Sequence, residues 1–153
     1  MRFGGTRSTP PPPREPAPAQ RSQRRTPVPE KPILIVEDDS DLREALGYLL
    51  KACGYPVVAA GDGEAALAEL HGGLEPCLIL LDLLMPRKDG FQFRSEQLEN
   101  PRLAKIPTIA YSGIYTGSNL RERAAALGIT TVLEKPVDYD GLLDLIEKHC
   151  PRT

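Results

Sequence analysis

A doubly wound α/β domain, with five parallel strands and five helices, is the fold that this sequence predicts. Two observations carry that expectation. Short apolar runs alternate five times with longer segments whose apolar residues recur at helical spacing. The runs are also nearly continuous rather than alternating with polar residues, the pattern of strands buried on both faces of a parallel sheet. Each strand must then cross back to start the next in parallel, which lays helices on both faces.

The elements follow in order. Ile33-Leu-Ile-Val36 is the first strand, and residues 40–53 form a helix with Leu42, Leu46, Leu49 and Leu50 on one face. Asp39 or Ser40 caps its start and Gly54 ends it. Strand 57–60 leads to a helix over 63–71 capped by Asp62. Strand 77–81 leads, past Met85-Pro86 and a cap at Asp89, to a helix over 90–99. Strand 107–111 precedes a helix over 117–127 closed by Gly128, and strand 129–133 precedes a last helix over 139–149 capped by Asp138. Strand order cannot be read from this periodicity.

Ahead of these units, residues 1–31 read as a disordered tail, and residues 32–150 as the folded domain. Nine of the sixteen prolines fall by residue 32, with almost no large apolar side chain to offset the entropy of ordering. The tail lacks the apolar stretch of a secretion signal. Its seven Arg and Lys face only Glu15 and Glu30, a net of +5, which leaves −7 for the remainder of a chain whose total is −2. An acidic domain lacks the basic footprint of a duplex-binding protein, so no direct DNA binding is expected. No apolar run is long enough to span a bilayer. Cys53, Cys77 and Cys150 are odd in number and widely spaced, which suggests a reduced, cytoplasmic protein with inert thiols.

Chemistry concentrates where the strands end. Leu78-Ile-Leu-Leu81 runs into Asp82, the first strand into Glu37-Asp38-Asp39, the fourth into Ser112-Gly113 and the fifth into Glu134-Lys135-Pro136. In parallel sheets, sites lie just beyond the carboxyl ends of the strands. Adjacent strands would therefore gather carboxylates, a hydroxyl and an ammonium on one edge. Such a set suits a divalent cation and a phosphoryl group.

Four segments together, Ile33 to Arg43, Leu81-Asp-Leu-Leu-Met-Pro-Arg-Lys-Asp-Gly90, Tyr111-Ser-Gly113 and Glu134-Lys-Pro136, resemble the receiver domain of two-component response regulators. The resemblance spans residues 32 to about 150 and implies the flavodoxin-like strand order 2-1-3-4-5. It implies that Asp82 is the phosphoacceptor, and that Glu37, Asp38, Asp82 and the backbone carbonyl of Leu84 bind Mg²⁺. Ser112 and Lys135 would contact the phosphoryl group, with the Lys135–Pro136 bond cis. Asp39 and Asp41 are assigned instead to the helix start, where acids are favoured anyway. Three carboxylates about 5 Å apart repel by about 3 kcal/mol per pair at an effective dielectric near 20, a cost that calls for a cation or a proton.

A stand-alone switch is expected, because the chain ends at Thr153 without room for an output domain. It would accept a phosphoryl group from a sensor histidine kinase or a phosphotransfer protein and signal to a downstream protein through residues 117–149. It would not be a turnover enzyme acting on a free substrate. One position departs from the family. Val132 stands where an aromatic ring usually reports phosphorylation, which leaves a phosphorylation-indifferent adaptor as the alternative. A phosphohydrolase is disfavoured because Leu84 occupies the place of its general acid. Flavin or dinucleotide binding is disfavoured because no glycine-rich loop follows the first strand.

Overall fold

In a computed structural model that describes residues 4–5, 8–13, 31–113 and 119–151, the five strands form one parallel sheet. These are β1 (Ile33–Val36), β2 (Val57–Ala60), β3 (Leu78–Asp82), β4 (Thr108–Ser112) and β5 (Val132–Glu134), in the order β2-β1-β3-β4-β5. The helices are α1 (Ser40–Ala52), α2 (Gly63–His71), α3 (Gly90–Glu99), α4 (Pro101–Ala104), α5 (Asn119–Ala126) and α6 (Tyr139–His149). Most of the predicted disordered tail lies outside the described residues, as do residues 114–118, where the helix over 117–127 was expected to start.

The side-chain alternation of the strands sorts the core into two layers. Ile33, Ile35, Leu78, Leu80, Ile109 and Tyr111 point toward Leu46 and Leu50 of α1 and Leu142 and Ile146 of α6. Leu34, Val36, Ile79, Leu81 and Ala110 point the other way, toward α2, Phe91 and Phe93 of α3, Leu103 of α4 and Ala124 of α5. All four residues of β1 are fully buried, as unbroken apolar runs require in a sheet covered on both faces.

Local chemistry sets the helix ends. Asp39, Asp62, Asp89 and Asp138 each accept a backbone N–H from the first turn of α1, α2, α3 and α6. At Asp89 the cap is reciprocal, because Gln92 also accepts the Asp89 N–H. Gly54 and Gly128, with φ of 90° and 76°, reverse the chain after α1 and α5.

Three expectations need correction. A sixth helix, α4, follows α3 immediately. Asn100 caps it and Pro101 occupies its first turn, where the missing N–H costs nothing. The fifth strand spans Val132–Glu134 rather than 129–133, and Ile129 instead fills the core beside α5 and the sheet. The thiols are not all reduced and inert: Cys77 and Cys150 form a disulfide across 73 residues of sequence. The fold sets the start of β3 against the end of α6 with a Cα–Cα distance of 5.6 Å, within bridging range. Linear spacing carries no trace of that approach.

Candidate functional site

Register brings the candidate residues together. Val36 pairs with Leu81 and Asp82 pairs with Tyr111, so Glu37, one step past β1, stands level with Asp82. Ser112 pairs with Glu134, and the Lys135 N–H donates to the Ser112 carbonyl at 2.8 Å. The peptide bond between Lys135 and Pro136 is cis, as the resemblance implied.

Asp82 is 2% exposed and Glu37 fully buried, whereas Asp38 is open to solvent. Oxygen atoms from these three carboxylates lie within 4.8 Å of one another. The Lys135 ammonium answers part of that charge, donating to Asp82 Oδ2 at 3.2 Å and to Glu37 Oε2 at 3.2 Å. Burial, and then the charge of Glu37, push the Asp82 carboxyl up to about 7, although the Leu84 N–H and Lys135 oppose the shift. Burial disfavours the charged form of Lys135, but the carboxylates of Asp82 and Glu37 outweigh it and hold the ammonium above its ordinary range.

Leu84 donates its N–H to Asp82 Oδ1 at 3.0 Å, which orients the carboxylate, and its own side chain is half exposed. The Ser112 hydroxyl is fully buried and has no hydrogen-bond partner among the described residues. A buried hydroxyl left without a partner is costly, so this one is a donor in want of an acceptor. Asp39 and Asp41 belong to the start of α1, with the Asp39 carboxylate accepting from the Asp41 and Leu42 N–H groups.

Several contributors stood in the motifs quoted above without a role of their own. Arg43 Nη1 reaches back from α1 to the carbonyls of Glu37 at 2.8 Å and Asp38 at 3.3 Å, which ties down the backbone that carries both acids. Tyr111 is buried beneath the site, and its ring lies 5.1 Å from the Lys135 ammonium. Its hydroxyl feels the Glu37 charge without reaching hydrogen-bond geometry. Burial first, and then Glu37, raise its pKa. Gly90, read earlier only as part of a motif, has a steric role. A Cβ there would stand 2.5 Å from the Asp82 carbonyl oxygen and 2.7 Å from the Leu83 Cα. Gly90→Ala should therefore cost about 1–3 kcal/mol in chemical denaturation, because the start of α3 must back away from Asp82.

The raised Asp82 pKa sets a pH dependence with a definite sign. A carboxyl that titrates near 7 when folded and near 3.8 otherwise keeps its proton longer in the folded state, so without a divalent cation stability falls as pH rises through that window. Asp82→Asn should then melt about 5 °C above the unmodified chain at pH 8 in EDTA, and the gap should close near pH 4. Equal melting temperatures at pH 8 would contradict the electrostatic account.

Two buried carboxylates and one exposed one, gathered at a single point, are half the description of a cation site, and this set fits a hard cation that prefers oxygen donors. The comparisons agree with the geometry. The response regulator receiver domain profile matches residues 33–147. An uncharacterized 14.6 kDa protein of Leptolyngbya boryana is 35% identical over 118 residues, covering 77% of this chain and 88% of that protein. The transcriptional regulatory protein PdtaR of Mycobacterium tuberculosis is 37% identical over 118 residues, but the match spans only 54% of its length. Among solved structures, a response regulator receiver protein from Pseudomonas putida superposes with a TM-score of 0.72 at 33% identity, covering 77% of this chain and 97% of that one. Strand order, the acids at the ends of β1 and β3, and a match over three quarters of its length together make this chain a member of the response regulator receiver domain family.

Proposed function

We propose that the chain is a phosphoacceptor switch in which Asp82 takes a phosphoryl group from a histidine kinase or phosphotransfer protein. The observation that carries this reading is the gathering of Asp82, Glu37, Asp38 and Lys135 at one sheet edge, beside the Ser112 hydroxyl, which has no partner among the described residues. An Asp82 oxygen attacks phosphorus in line, a P–O bond forms, and the P–N bond to the donor imidazole breaks. Lys135, at 3.2 Å from Asp82 Oδ2, offsets charge on the transferring group. Ser112 donates to a phosphoryl oxygen and so gains the partner it lacks. Mg²⁺, held by Glu37, Asp38, Asp82 and the Leu84 carbonyl, supplies further positive charge when bound. Arg43 keeps Glu37 and Asp38 in place through their backbone.

The receiver corresponds to residues 32–150 in this proposal, works in the cytoplasm and signals through protein contacts rather than through DNA. A self-sufficient receiver is supported by the relative from Leptolyngbya boryana, which extends little beyond the matched region. Among the described residues, no helix is long and apolar enough to cross a membrane.

Val132 favours a second reading. It is half-buried and packs on the α5 side of the sheet, and its branched side chain cannot swing as a ring would. A phosphorylation-indifferent adaptor would keep the fold without using the site. Amide exchange with and without a beryllofluoride phosphoryl mimic separates the two. A switch that runs through Ser112 should change protection across residues 119–149, Ser112→Ala should remove most of that change, and Val132→Ala should lower stability alone. Unchanged exchange in the unmodified chain would favour the adaptor.

A further inference from the structure

The disulfide lies at the opposite end of the sheet from Asp82. Cys77 immediately precedes β3 and Cys150 caps the end of α6, so the bond tethers the last turn of that helix to the base of the sheet. The other end of α6 starts just past Lys135 and Pro136. One helix is thus held at its N-terminal end by the candidate phosphoryl site and at its C-terminal end by a cystine.

The two sulfurs differ in access. Cys150 is 1% exposed, whereas Cys77 lines an open pocket of about 430 Å³. Lys31, Arg102, Lys105 and His149 surround that pocket, Glu75 is the one acid among its described lining residues, and Leu103 and Ile106 lie among its apolar walls. This is a basic patch on a domain whose remainder carries a net negative charge. The fold also provides for the opened state. The carbonyl oxygens of Lys31 and Pro32 lie 3.5 and 3.7 Å from Cys77 Sγ, ready to accept from its thiol.

We propose that Cys77 and Cys150 form a reversible thiol–disulfide site, opened by small anionic thiols that enter through the basic pocket, and that its state sets whether the end of α6 is tethered. An incoming thiolate attacks Cys77 Sγ, a mixed disulfide forms, and the Cys77–Cys150 bond breaks. Cys150 leaves as a thiolate and takes a proton from water. A second thiolate attacks the outer sulfur of the mixed disulfide and releases Cys77 together with the small-molecule disulfide. Two external thiols are oxidised and the protein cystine gains two electrons. The reverse sequence, driven by a small-molecule disulfide, closes the tether.

The test uses the full chain, equilibrated with oxidised glutathione, then alkylated and weighed intact. Cys77 and Cys150 should resist alkylation in the oxidised sample, with Cys53 carried as its glutathione mixed disulfide, and all three cysteines should be alkylated after reduced glutathione. Amide exchange over residues 139–150 should quicken on reduction, and Cys150→Ser should exchange in the same fast manner whatever the redox buffer. Lys105→Glu with Arg102→Glu should slow opening by glutathione about five- to tenfold at low salt, while opening by neutral 2-mercaptoethanol changes less than about twofold. Phosphorylation of Asp82, followed in the same samples, should proceed at equal rates in both redox states. Free alkylation of Cys77 and Cys150 in the oxidised sample would overturn the site. Redox-independent exchange in α6 would overturn the tether, and equal slowing of both thiols would overturn the entry route.

Discussion

Replacing Asp82 with Asn should reduce phosphoacceptance by at least about a thousandfold, because the amide removes the nucleophilic carboxylate and leaves its neighbours in place. The substitution is nearly isosteric, and Asn can still accept the Leu84 N–H that orients Asp82 at 3.0 Å. A lost signal would then report chemistry rather than unfolding, and the higher melting temperature expected for this variant in EDTA provides the control. Intact mass after treatment with acetyl phosphate and Mg²⁺ reads the result. A full phosphoryl increment on the Asn variant would move the acceptor elsewhere.

The second large effect concerns Asp38. It is the exposed member of the carboxylate cluster, so its removal empties no core. Asp38→Ala should nonetheless weaken Mg²⁺ binding and slow phosphorylation by at least about tenfold, the scale seen when partners of a metal site are lost. Asp39→Ala provides the contrast. Its carboxylate caps α1, so that change should cost about 1 kcal/mol of stability and leave the Mg²⁺ titration nearly unchanged. Equal titrations for the Asp38 variant and the unmodified chain would remove Asp38 from the ligand set.

What could be read in advance follows the range of the interaction. The caps at Asp39, Asp62, Asp89 and Asp138 were legible because each acts within three residues of its own position. The strands were legible because burial on both faces demands unbroken apolar runs, and the edge of the sheet was legible because polar residues follow those runs. The short helix α4 escaped because four residues carry no helical period, although Asn100-Pro101 already held its start. Ile129 misled for the opposite reason, since an apolar residue next to a strand can serve the core without joining the ladder.

Contacts between distant segments left no local mark. Tyr111 beneath Lys135 and Cys77 on Cys150 both depend on how the chain returns to the sheet. So does the buried guanidinium of Arg94, which joins α3 to the end of α5 and to β4 through the Leu127 carbonyl at 2.9 Å and Thr108 Oγ1 at 3.1 Å. Sequence pattern locates the carboxylates of the site. Packing decides which cations meet them: the ammonium expected on Asp82 serves Glu37 as well.

Asp82 is proposed to accept a phosphoryl group with the help of a divalent cation. The most direct measurement is the intact mass of the unmodified chain after acetyl phosphate, with Mg²⁺ and with EDTA, followed by peptide mapping. A single phosphoryl increment is expected on the peptide containing Asp82 in Mg²⁺, and little or none in EDTA. An increment of equal size in EDTA, or one on a peptide without Asp82, would contradict it.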